Sequence, residues 1–205
     1  MRKHTRPSAG QDRTTRAQAG RIRIVGGQFR RTLIPVVAAP GLRPTPDRVR
    51  ETVFNWLEHF LGGWDQTCAL DLFAGSGALG FEMASRGARR VVLVESNARA
   101  AQALQALRER LGAAGVQVLQ SDWRAALLRL APGPFDVIFL DPPYASSVLE
   151  SALAAVRPLL ARSGLVYVEA AEPLQASLLA ERGWELVRAG RAGAVHFHLL
   201  RERSC

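Results

Sequence analysis

From Cys68 onward the chain alternates short apolar runs with helical stretches. CALDLFA, VVLVES, VQVLQSD, FDVIFLD and GLVYVEA have strand length, and each is closed by small or acidic residues. Between them Ala78 to Arg86, Ala98 to Leu111, Trp123 to Leu130 and Val148 to Leu160 carry helical spacing. Near-continuous apolar strands joined by helices imply a parallel sheet covered on both faces, with right-handed crossovers. WELVRAG and AVHFHLLRE flank Gly190 to Gly193, which predicts a closing antiparallel hairpin. The expected fold class is therefore α/β, a mostly parallel seven-stranded sheet ending in that hairpin.

Upstream, RIRIVGGQFRRTLIPV alternates basic and apolar residues and turns at Gly26-Gly27, which predicts a small β-hairpin with one charged face. Thr45 reads as a helix N-cap with Pro46 at the first helical position and Asp47 in the first turn. Val49, Val53, Trp56, Leu57, Phe60 and Leu61 follow at helical spacing until Gly62-Gly63. The expected organisation is a basic tail over 1–20, a hairpin extension over 21–40 and an α/β domain over 41–205.

Charge is unevenly placed. Met1 to Arg31 holds nine arginines and lysines against Asp12 alone, so it carries +8 of the chain's +9 and leaves +1 for the rest. A near-neutral body with a basic arm suits a polyanionic partner, although a solvated tail explains residues 1 to about 18 equally well. Lys3 is the one lysine, which excludes a P-loop. No apolar run approaches the roughly 20 residues that span a bilayer, and the basic start lacks both the apolar core of a secretory signal and the apolar face of a transit peptide. Cys68 and Cys205 make no disulfide framework or metal spacing, so a reducing, cytoplasmic compartment is expected.

In an open parallel sheet, ligands bind at the carboxyl ends of the strands. Four runs carry an acid there: Asp71, Glu95, Asp122 and Asp141. GSGALG, Gly75 to Gly80, opens a helix after the first run and suits either a nicotinamide dinucleotide or S-adenosylmethionine. Glu95 can accept hydrogen bonds from a ribose diol. Asp122 can meet an adenine amine, cap the helix at Trp123, or do both. The deciding stretch is FDVIFLDPPYAS. An exocyclic base amine is a poor nucleophile, so a site that methylates it needs two acceptors to hold both hydrogens and aim the lone pair. Asp141 and the Pro142 carbonyl supply such a pair; Pro142 and Pro143 stiffen it, and Tyr144 offers a face for an extruded base. The alternative is a stiff turn with a capping acid.

DLFAGSGALG, the acid of VLVES, the SD of LQSDW and DPPY occur in the order seen in S-adenosylmethionine-dependent amino-methyltransferases. RIVGGQFRRTLIPV and RPTPDRVRETVFNWL narrow this: the chain from about Arg21 to Arg201 resembles the RsmD family of bacterial 16S rRNA guanine-N2 methyltransferases. The resemblance implies a Rossmann-like class I fold and S-adenosylmethionine as cofactor. It implies methylation of a guanine, number 966 in the family's target, in 16S rRNA within an assembling or assembled 30S subunit. Asp71, Ala74, Gly75, Ser76 and Gly77 would line the methionine end of the cofactor, Glu95 and Ser96 the ribose, and Asp122 and Trp123 the adenine. Thr45 and the segment from Arg43 to Glu51 would close over it, and Asp141, which would also touch the cofactor, would hold the guanine together with Pro142, Pro143 and Tyr144. Arg21, Arg23, Arg30, Arg31, Arg43, Arg48 and Arg50 are candidate RNA contacts, with Arg50-Glu51 equally readable as a solvated helical face.

Other classes fare less well. A DNA adenine-N6 methyltransferase shares the DPPY chemistry, but the chain has no large target-recognition insertion. A dehydrogenase lacks hydride-site residues, and a non-catalytic RNA-binding module leaves DPPY unexplained. His196 and His198 form an H-x-H expected on an exposed strand face without metal. A monomer without metal or membrane contact is expected.

Overall fold

The computed structural model describes residues 22–36, 45–130, 135–142 and 146–203, of which 146 and 147 by their backbone alone. Two short strands, β1 (Ile22–Arg23) and β2 (Leu33–Ile34), pair antiparallel. Helix α1 spans Asp47–Leu61. Then follow β3 (Cys68–Asp71), α2 (Ala78–Arg86), β4 (Arg90–Glu95), α3 (Ala98–Leu111), β5 (Val116–Gln120), α4 (Trp123–Arg129) and β6 (Phe135–Leu140). The remainder is α5 (Ser146–Ala155), β7 (Leu160–Ala170), α6 (Ala176–Glu181), β8 (Trp184–Ala192) and β9 (Val195–Glu202).

Seven strands form one sheet in the order β5-β4-β3-β6-β7-β9-β8, parallel from β5 to β7 and antiparallel beyond. The expected mostly parallel sheet with its closing hairpin is present. Strand order reverses between β3 and β6, which opens a crevice above their carboxyl ends.

Period-two alternation divides the core between the two faces. Ala69, Leu93, Phe139 and Tyr167 pack with α1, α2, α3 and the N-terminal hairpin. Leu70, Val92, Ile138 and Val168 pack with α4, α5 and α6. Most strand residues are therefore apolar on both sides, which is why the runs read as nearly continuous.

Several boundaries differ from expectation. Thr45 is not the cap of α1. Pro46 occupies that position with extended backbone, and the Thr45 hydroxyl donates instead to Glu169 Oε1 at 2.6 Å. With its hydroxyl committed to Glu169, Thr45 caps no helix N–H, and the helix starts one residue further on. Pro158 halts α5 early and leaves a short 3-10 turn at Arg157–Leu159. Helix α6 was not anticipated. Gly190 lies within β8 rather than in the turn, because the Phe197 ring covers it so closely that a Cβ would stand 2.3 Å from its Cζ. His196 and His198 do not share an exposed face. His198 is only 1% exposed, accepts a hydrogen bond from Leu174 N–H, and is lowered to about pKa 4 by burial and by His196.

The N-terminal hairpin is bound to α2 through its turn. Ile22, Ile24 and Ile34 join the main core. The buried Glu82 carboxylate accepts from Val25 N–H at 2.7 Å and Gly26 N–H at 2.8 Å, and pairs with Arg86 at 3.0 Å. Ser85 accepts from Gln28 N–H through its carbonyl and from Phe29 N–H through its hydroxyl. Replacing Glu82 with Ala leaves two backbone donors and the Arg86 charge without their acceptor. The expected cost is roughly 3–5 kcal/mol of unfolding free energy. A urea midpoint equal to that of the unaltered chain would show that the hairpin docks without this carboxylate.

Candidate active site

Parallel register brings one acid from each of five neighbouring strands to the same edge. In sheet order these are Asp122 after β5, Glu95 ending β4, Asp71 ending β3, Asp141 after β6 and Glu169 on β7. Asp71, Glu95 and Glu169 each lie two residues beyond a residue of the α1–α3 face, and Asp141 follows Phe139 in the same parity. The carboxyl groups therefore crowd on one side of the crevice.

Glu95 is anchored by two backbone donors: Gly75 N–H reaches Oε2 at 2.8 Å and Asn97 N–H reaches Oε1 at 2.7 Å. It ties the glycine-rich loop to the end of β4 and retains lone pairs for a diol. Asp122 is exposed. One of its oxygens caps α4 by accepting from Arg124 N–H at 2.9 Å, so the capping half of its double expectation is present. Trp123 is packed in the core against Phe73, at 6.0 Å between ring centres, and does not present an open face. Phe73, half-buried at the crevice, was not singled out from the sequence.

Ala74, Gly75, Ser76 and Gly77 form the turn from β3 into α2, closed by Gly77 N–H donating to the Ala74 carbonyl at 2.6 Å. Gly80 has a packing role. A Cβ there would lie 2.1 Å from Leu93 Cδ2, so only glycine lets α2 rest on β4. That contact also brings Gly80 N–H within 3.2 Å of Asp71 Oδ2. Ser96 is exposed beside Glu95.

The central acids hold protons unusually well. Asp71 is raised to about pKa 7, chiefly by burial, with Glu95 and Glu169 adding repulsion and the N–H groups of Gly80 and Phe73 opposing. Burial also raises Asp141 well above the carboxylate range, and Glu169 and Asp71 raise it further. Glu169 is raised by burial against the bonds it accepts from Thr45 and from Tyr167 at 3.0 Å. Glu169 was absent from the sequence expectations. Its signal was there, since GLVYVEA closes with an acid as the other runs do.

Pro142 is buried directly after Asp141, whereas Pro143 and Tyr144 lie outside the described residues. So do Arg21 and Arg43. Arg23, Arg30, Arg31 and Arg48 are exposed, with Arg23 paired to Asp47 at 3.0 Å. Arg50 is a correction: it is 0% exposed, pairs with Asp47 at 2.6 Å and donates to the Arg23 carbonyl. Its position on the inner stripe of α1 removes it from any phosphate and from the solvated face.

The family described as conserved hypothetical protein 95 matches residues 22–201. The chain belongs to this family, that of the RsmD proteins. Ribosomal RNA small subunit methyltransferase D of Escherichia coli K12 is 39% identical over 183 residues, covering 88% of this chain and 90% of that protein. The Haemophilus influenzae protein of the same name is 36% identical over 88% of this chain and 93% of its own length. The solved E. coli protein yhhF superposes with a TM-score of 0.76 at 38% identity, over 91% of this chain and 100% of that one. A precorrin-6y C5,15-methyltransferase from Geobacter metallireducens, 19% identical, superposes at 0.62 over 82% of this chain and 94% of its own, a likeness of fold alone. The RsmD-family fold here is the Rossmann-like class I methyltransferase fold.

The cofactor implied by that fold is S-adenosylmethionine, and the donor set fits it. Glu95 has acceptor capacity left for a ribose diol. Asp122 has one oxygen uncommitted among the described residues, and buried acids suit a cationic sulfonium. Among the described residues no group of three or more His, Cys, Asp or Glu is arranged to hold a metal ion.

Asp71 links stability to pH. Between its ordinary value of 3.8 and about 7, the folded chain keeps a proton that the unfolded chain has released, so stability from this group falls as pH rises through that window. Asp71→Asn cannot ionise. Its urea midpoint relative to the unaltered chain should rise from about pH 5 to about pH 8. Parallel midpoints over that range would mean that Asp71 is ionised throughout.

Proposed function

We propose that this chain transfers a methyl group from S-adenosylmethionine to the N2 amine of a guanine in 16S rRNA, guanine 966 in the family's target, within the 30S subunit. The observation that carries this reading is the half-buried Asp141 carboxyl, set at the end of β6 between β3 and β7, with Asp71 on one neighbouring strand and Glu169 on the other. The name shared by the curated relatives, ribosomal RNA small subunit methyltransferase D, supports the RNA and the subunit. Work on ribosomes as a cytoplasmic monomer is part of the same reading.

S-adenosylmethionine supplies a methyl group made electrophilic by its positively charged sulfur. Asp71, the turn from Ala74 to Gly77, Glu95 with Ser96, and Asp122 would hold it, with Thr45 at the far side. Asp141 and the Pro142 carbonyl each accept one hydrogen of the amine, which turns the nitrogen lone pair toward the reacting carbon. Pro142 fixes its own φ and brings no competing N–H, so the acceptors stand in place before RNA binds. Pro143 extends that stiffness and Tyr144 stacks on the base. The proton leaves after the nitrogen has become cationic, so Asp141 need not be a strong base. No thiolate is required. Cys68 starts β3, at the opposite end of the sheet from Asp141.

The exposed Arg23, Arg30, Arg31 and Arg48, with Arg21 and Arg43, supply phosphate contacts from the hairpin and the start of α1. This agrees with the +8 charge of the first 31 residues.

Asp141→Ala should lower methyl transfer by roughly 10³-fold, while S-adenosylhomocysteine still raises the melting temperature. Equal loss of both would make Asp141 a structural residue. Mapping modified guanines in small-subunit rRNA from cells with and without the gene tests the substrate. Replacing Arg30 and Arg31 together with Ala should weaken RNA binding regardless of sequence and reduce the slope of log affinity against log salt by about 2. An unchanged slope would put the RNA on another face.

A further inference from the structure

Glu169 stands beside Asp141 in a way that the methyl-transfer reading leaves unexplained. Leu140 pairs with Val168 in the parallel register of β6 and β7, so Asp141 and Glu169 each directly follow a paired residue on neighbouring strands. Both hydroxyls that reach Glu169 bond the same oxygen: Thr45 donates to Oε1 at 2.6 Å and Tyr167 at 3.0 Å. Oε2 takes no hydrogen bond among the described residues and is not among the sealed, unpaired buried atoms. A carboxylate anchored through one oxygen keeps a fixed plane and leaves the other for a ligand. The residue is 6% exposed, and a purely structural role would be expected to satisfy both oxygens.

Guanine and adenine differ at this point. The ring nitrogen beside the C2 amine of guanine, N1, carries a hydrogen, whereas the ring nitrogen beside the adenine amine carries a lone pair. A carboxylate oxygen next to the amine site accepts the first and repels the second.

We infer that Glu169 is the guanine-specifying residue, its Oε2 accepting the ring N1–H while Asp141 and the Pro142 carbonyl accept the amine hydrogens. This rests on the guanine-N2 reading and adds to it the feature that separates guanine from adenine in a site of this chemistry. Thr45, 124 residues away, acts through Glu169 as a positioning residue.

The test uses small subunits reconstituted with 16S rRNA carrying guanine, 2-aminopurine or 2,6-diaminopurine at the target position. Both analogues keep the C2 amine and replace N1–H by a lone pair, and they differ from each other at position 6. The unaltered enzyme should lose roughly 10²-fold in kcat/KM on both analogues, because a buried acceptor then faces a lone pair. In Glu169→Gln the amide can present either an oxygen or an NH2, so the guanine-to-analogue ratio should fall below about tenfold. Equal rates on guanine and both analogues with the unaltered enzyme overturn the inference without any variant. A loss on only one analogue overturns it too, since that points to readout of position 6, and so does an unchanged ratio in Glu169→Gln. No transfer to guanine by the unaltered enzyme sinks the methyltransferase reading itself, and this inference with it.

Discussion

Everything at this site depends on keeping several carboxyl groups together where water is scarce. Like charges repel and burial penalises ionisation, so an isolated row of buried acids would push the strands apart or take up protons. The fold manages this with donors placed by its own backbone. Gly80 N–H and Phe73 N–H face Asp71, Gly75 N–H and Asn97 N–H face Glu95, and two hydroxyls face Glu169. The remaining electrostatic cost appears as raised proton affinity at Asp71, Asp141 and Glu169. A sulfonium or an amine that enters this ring meets acceptor oxygens already held in position.

The N-terminal hairpin reaches this machinery by a separate route. Helix α2 is buried along nearly its whole length, with the sheet on one side and the hairpin on the other. Its polar residues Glu82 and Ser85 therefore serve as docking partners for the hairpin turn. The same helix presents Gly80 to the sheet, so one element fixes both the hairpin and the loop that opens the crevice. Arg50 and Asp47 then link α1 to the hairpin through the Arg23 carbonyl and side chain. Arg50 spans this joint from within, which explains why a residue that reads as a surface arginine is sealed in the core.

Much of this was legible because β/α alternation and strand-end acids are local features. A run such as VVLVE announces its own end, and GSGALG its own turn. The sequence reading went wrong where a local preference met a competing partner. Thr45 had the chemistry of an N-cap, but Pro46 displaced it and Glu169 took its hydroxyl. His198 alternates correctly on its strand, yet the chain at Leu174 folds over it.

The sequence alone determined the parallel sheet, the glycine turn, the acid at the end of each run and the stiff DPP segment, because these follow from periodicity and backbone chemistry over a few residues. Only the tertiary structure decided that β6 lies between β3 and β7, so that Asp141 has Asp71 on one side and Glu169 on the other. It alone decided that Arg50 is buried and that Thr45 bonds a residue on β7. Strand order and the joining of distant side chains arise from competition among long-range packings, in which residues far apart in the chain settle each other's surroundings.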